Sequence, residues 1–218
     1  MNIKKIVYNI LMFSPLVITL AALPFLPDKI PAHYGFDFRV TRWGSKYETL
    51  IFPAVTVTMG FFMLAMAKIA APKDAQGKNN ESGIVITGIA MLTLFNVMTG
   101  YFLYAAYKEV ENLSSISLDF NRILFILFGI FLIVVGNLMP RLRKNLIIGL
   151  RTTWSLKNDI TWEKSQRFGG ISLIIAGAVM ILICLFTGGW QCFAWSMGLL
   201  LVTVIIDIVY TYIIAKKY

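Results

Sequence analysis

Asp207 is an ionisable residue inside an otherwise apolar run, nine residues before Lys216. Inserting an acid that deep in lipid costs at least ~2.5 kcal/mol, so it must face other helices, protonated or hydrogen-bonded. Thr203 and Thr211, one turn to either side, are local candidate partners, and Asn96 and Asn137 are candidates on other helices. Two chemistries fit such a residue: a charge-dependent function, or a neutral hydrogen-bonding group that joins helices. A second concentration is LPDKIPAHYGFDFRVTRWGSKY, residues 26–47, where His33, Tyr34, Phe36, Arg39, Arg42 and Trp43 mix aromatic and cationic character. These residues suit either an interfacial aromatic belt or a surface on which a peptide docks. The third is NLIIGLRTTWSLKNDITWEKSQRFGG, residues 145–170, whose Arg151, Trp154, Trp162 and Arg167 are expected on a polar surface beside the bilayer.

Covalent or metal chemistry has little to work with. The single histidine, His33, has Asp37 nearby, but one imidazole and one carboxylate are too few for a metal site, and Cys184 and Cys192 match no ligand spacing. Neither an HExxH run nor a pair of membrane aspartates occurs, so no enzyme, metal or cofactor is expected.

The elements that must position these residues follow from composition. Of 218 residues, 58% are hydrophobic and 14% charged, against about 25% charged in soluble domains. Crossing the hydrocarbon core takes roughly 20 apolar residues in a helix. Six windows qualify, from about Ile3 to Leu26, Glu48 to Ala71, Gly83 to Tyr107, Phe120 to Met139, Phe168 to Thr187 and Gln191 to Ala215. The first is read as a retained helix, kinked at Pro15, because its apolar run is long and lacks a small-residue cleavage site. The fold class is therefore all-α, a single polytopic membrane domain with six helices in an antiparallel bundle. It divides into an N-terminal helix pair with an aromatic outer loop (1–71) and C-terminal helices with a long loop at 140–167 (120–218). Gly88, Gly129, Gly136, Ser172, Ala176 and Gly198 are expected at helix contacts.

Placing the N-terminus inside puts fourteen lysines and arginines on the cytoplasmic side and six on the outer side. The positive-inside rule then sets both termini in the cytoplasm. The net charge of +9 becomes a membrane-adjacent layer facing anionic headgroups, and direct nucleic-acid binding is not needed to explain it.

The loop between the fourth and fifth windows is too long for a simple connection and too rich in aromatics for a disordered one. Asn158 or Asp159 reads as the N-cap of a short helix from Ile160 to Arg167, with Glu163 and Arg167 spaced for an ion pair. Cys184 and Cys192 fall at the outer end of the last helical hairpin, either as a disulfide or as unpaired, lipid-facing thiols.

Asn145, Gly149, Arg151, Thr152 and Trp154, followed by Asn158, Asp159, Trp162, Arg167, Phe168 and Gly170, resemble the signature loop of the SdpI family of bacterial integral membrane immunity proteins. Residues 26–47 with Pro53 are similar to the small domain of unknown function that often precedes it. The pattern departs at Thr153, in place of proline, and at Gln166, in place of histidine, so no proton-handling role carries over to that position. The resemblance implies protection of the producing cell from a secreted peptide toxin. In some members it also implies a signal to a cytoplasmic helix-turn-helix repressor. A small transporter or exporter of a peptide or other solute is the rival reading.

Overall fold

The computed structural model describes residues 3–70, 77–113 and 119–218. The connection between the second and third helices, whose Lys73 enters the count of fourteen above, lies outside the described residues at 71–76, as do residues 114–118. Six long helices carry the chain: α1 (Ile3–Ala22), α2 (Ile51–Ala70), α3 (Gly77–Tyr107), α4 (Phe120–Leu138), α5 (Asp159–Phe186) and α6 (Gly189–Lys217). All six are long and apolar enough to cross a membrane. Pro15 does not end α1, which runs through it.

The helices are apolar outside and partly polar inside. Along α6 the buried residues are Cys192, Ser196, Thr203, Asp207, Thr211 and Ala215, while Leu201, Val202, Val204, Ile205, Ile206 and Val209 are exposed. Water would drive the opposite arrangement. Lipid permits it, because helix association in hydrocarbon comes from close packing and hydrogen bonds between helices.

α1, α2 and α3 form one group. The Tyr8 hydroxyl donates to the Gly60 carbonyl at 2.7 Å, and its ring lies where a side chain on Gly88 would otherwise sit. Ser14 Oγ donates to Asn96 Oδ1 at 2.5 Å, and Asn96 Nδ2 donates back to the Leu11 carbonyl at 2.7 Å. Asn96 thus fastens α3 to α1. The second group is α4, α5 and α6. Its closest approach is between α4 and α5, where a Cβ on Gly136 would lie 2.5 Å from the Gly170 carbonyl oxygen and one on Gly129 2.8 Å from that of Gly177. The expected packing role holds for these glycines. It fails for Gly198, which faces open space.

The structure departs from an all-α expectation at residues 26–47. Lys29–Tyr34 (β1) and Val40–Ser45 (β2) pair as an antiparallel hairpin, with register shifts near His33. Gly35 stands at its turn, and Gly44 lies inside β2, where a side chain would strike the Glu48 carboxylate and Ala32. The segment before α4 adds to the hairpin: Val40 N–H donates to the Glu111 carbonyl at 2.9 Å, and Leu113 N–H to the Phe38 carbonyl at 3.0 Å. A second departure concerns α5, which starts at Asp159. The expected short helix and the fifth crossing are one continuous element.

Candidate functional site

Two assemblies occupy opposite ends of the bundle, and Asp207 lies between them. The first is a cap made of the hairpin and residues 110–113. Beneath it is a cavity of about 490 Å³, bounded by β1, Phe38, and the ends of α2, α3 and α4. That size falls within the range of small-ligand sites. Phe52, Phe102 and Phe120 form much of its wall; Phe52 meets Phe102 edge-on at 5.7 Å between ring centroids, and Phe102 meets Phe120 at 5.8 Å. Tyr34 also lines it. The Tyr34 hydroxyl donates to the Val110 carbonyl at 2.8 Å, and burial pushes this phenol up to about 12.

Charge is confined to the cavity rim. Arg42 donates to both carboxylate oxygens of Glu48, at 3.0 and 2.7 Å, and this partner raises the guanidinium above its ordinary value. Lys46 bonds Asp28 at 2.8 Å and holds that carboxyl below its usual range. His33 Nδ1 sits 2.7 Å from Thr41 Oγ1, while Asp37 accepts the Arg39 N–H at 3.2 Å, so His33 and Asp37 serve separate local contacts. Phe36 is 93% exposed and Trp43 43%. Arg39, Trp43, Val40, Glu111 and Asn112 line a second, shallower recess of about 350 Å³.

The second assembly is the platform between α4 and α5. Asn145 Oδ1 accepts the N–H groups of Ile147 and Ile148, both at 2.8 Å. Gln166, fully buried, holds both main-chain groups of Leu150: its Oε1 accepts the N–H at 2.8 Å and its Nε2 donates to the carbonyl at 2.9 Å. Gly149 precedes that pair with φ of +106°. Any side chain there would meet Gln166 and Trp162, so both conformation and space call for glycine. Thr152 and Ser155 close the next turn by reciprocal bonds of 2.9 Å, and the Thr152 hydroxyl donates to Thr211 Oγ1 on α6 at 3.0 Å. Asn158 caps α5 with a reciprocal Thr161 contact. Asn80 joins the platform to the other helix group, accepting the Arg143 N–H at 2.9 Å and donating to the Ala70 carbonyl at 3.5 Å.

Several expectations change here. Trp162 is 3% exposed, and its indole donates to the Leu142 carbonyl at 2.9 Å, so it holds the platform together from inside. Trp154 stays at the surface, edge-on to Tyr212 with centroids 5.3 Å apart. Arg151 and Arg167 are exposed. The described residues hold two ion pairs, both in the cap; the expected Glu163–Arg167 pair is not among them. Asp207 finds its partner on α5, where Ser172 Oγ donates to Oδ1 at 2.6 Å. Thr203 bonds within its own helix, Asn96 serves α1, and Asn137 lies exposed on α4. Ser172, read only as a small packing residue, is thus the partner missed by sequence reasoning. Cys184 and Cys192 are buried side by side, facing neither lipid nor solvent.

These two ends coincide with two recognised segments. Residues 141–214 match the SdpI/YfhL protein family, and residues 10–57 match a domain of unknown function, DUF1648. One segment of this chain thus resembles the SdpI/YfhL family, and a segment N-terminal to it resembles DUF1648. Immunity protein SdpI of Bacillus subtilis (strain 168) is 24% identical over 187 residues, covering 85% of this chain and 83% of that protein. No solved structure matches. The SdpI/YfhL segment thus contains most of the platform with α5 and most of α6, whereas the DUF1648 segment contains α1 from its middle, the hairpin and the start of α2.

Proposed function

We propose that this protein is a non-enzymatic immunity protein of the bacterial cytoplasmic membrane that protects its cell from a secreted peptide toxin. Both termini and the platform lie in the cytoplasm, as the lysine and arginine distribution argues, and the cap faces outward. The observation that carries the reading is the apolar, aromatic-walled cavity under the hairpin, set in a family whose named relative is an immunity protein. Apolar side chains of a membrane-active peptide can enter such a cavity while Arg42 and its neighbours meet the polar main chain at the rim. His33, Tyr34, Phe36, Arg39, Arg42 and Trp43 then form the toxin-facing surface.

On the inner side, Arg151, Arg167 and Trp154 are the groups exposed for a partner, including a helix-turn-helix repressor. Asn145, Gly149, Thr152 and Trp162 shape the surface on which they stand. Expression in a toxin-sensitive strain tests the proposal. Survival supports it; full sensitivity at normal membrane abundance refutes it. Flux of a small solute in liposomes without toxin would favour the transporter reading.

A further inference from the structure

Cys184 near the end of α5 and Cys192 near the start of α6 place their Sγ atoms 2.9 Å apart. Both are free thiols, and both have no solvent exposure. Their proximity is enforced from outside the pair. Asp119, the N-cap of α4, accepts the Gly189 N–H at 2.9 Å. Asn121 Nδ2 donates to the Gly189 carbonyl at 3.0 Å, and Arg122 Nε and Nη2 donate to the Thr187 carbonyl at 3.2 and 3.1 Å. Three side chains at the N-terminal end of α4 thus hold the turn that joins the two cysteine-bearing helices. Gly189, with φ of +52°, supplies the tight reversal.

We propose that Cys184 and Cys192 are a modification site that is oxidised to an intramolecular disulfide in the cell. The sulfurs need to close by only about 0.9 Å to reach bonding distance, and two thiols fixed in register are favoured partners for each other. The proposal rests on the outward orientation argued above, since that end of the bundle then forms in an oxidising space. The oxidant is a protein disulfide of the extracytoplasmic thiol-oxidase class. One cysteine thiolate attacks it to give a mixed disulfide, and the second cysteine displaces the carrier thiol. Two protons and two electrons leave the pair, and the carrier becomes a dithiol. Burial of the finished bond dates this exchange to membrane insertion, before α5 and α6 pack, and then shields the bond from reductants.

The test uses the full chain in its native membrane. Membranes are quenched with acid, unfolded in detergent and treated with a maleimide, with or without prior reduction. The expected result is no alkylation without reduction, two alkylated thiols after it, and an unreduced chain two hydrogen masses lighter. In Cys184→Ser, Cys192 should become alkylatable without reduction. Two alkylated thiols in the unreduced wild-type chain would overturn the proposal. A separate arm places Gln191→Cys in a Cys184→Ser, Cys192→Ser background and applies an impermeant maleimide to intact cells. Labelling from outside combined with reduced wild-type thiols refutes the disulfide alone; labelling only after permeabilisation refutes the orientation, and the disulfide with it.

Discussion

The cap and the platform solve the problem of irregular backbone next to a membrane in different ways. In the platform, side chains serve the main chain: the buried Asn80, Gln166 and Trp162 and the half-buried Asn145 each hold main-chain groups that would otherwise lie unpaired. Unpaired buried groups cost about 1–3 kcal/mol apiece, so the set fixes one conformation. The cap meets most of its main-chain needs with β pairing and leaves its apolar residues around a void. One end is specified, and the other is receptive.

The largest break in this comparison should come from Gly149→Val. A β-branched residue at positive φ, pressed against Gln166 and Trp162, should cost on the order of 3 kcal/mol. Thermal unfolding in detergent, or loss of membrane abundance, would register it; an unchanged transition would show that the platform tolerates another path. Gln166→Ala should cost about 2 kcal/mol by stranding both main-chain groups of Leu150. Hydrogen exchange should rise at Leu150 while the hairpin stays protected.

Thr99→Phe is directed at the other end. Thr99 lines the cavity, and among the described residues its hydroxyl bonds only the Phe95 carbonyl of its own helix, so the added ring fills space at little structural cost. Protection from toxin should fall by about tenfold or more, which corresponds to roughly 1.4 kcal/mol of binding. Unaltered protection would sever the cavity from the proposed function.

Asp207→Asn keeps an oxygen able to accept from Ser172 and should change stability by less than about 1 kcal/mol. Protection is expected to drop if charge or protonation at this position matters to the proposed function. Full protection would reduce Asp207 to a helix fastener. The smallest effect is acid sensitivity of the cap. Lys46 lowers the Asp28 pKa in the folded state, so this pair stabilises the hairpin above the unfolded carboxyl value and loses its effect as pH falls through the folded one. Asp28→Asn should abolish that portion of the acid response, read as exchange protection in β1.

The helices were legible because crossing lipid imposes length and apolarity on each segment separately. The hairpin was not, since Pro31 and the aromatic residues obscure a strand pattern, and part of its hydrogen bonding comes from Glu111 and Leu113, far along the chain. Trp162 was misplaced because tryptophan suits a headgroup layer as well as a buried hydrogen bond, and local spacing does not separate the two. Asn80 and Ser172 were missed for a related reason. A small polar residue in an apolar helix gains its meaning from the neighbouring helix that it meets.

The unbroken course of α5 has a mechanical consequence. Its 28 residues make a rod about 42 Å long, longer than the roughly 30 Å hydrocarbon slab. The surplus projects beyond the lipid and forms one wall of the platform. With no joint along the rod, tilting it at one end swings its far tip at the other, which ties the position of the platform to the thickness of the bilayer that the helix crosses.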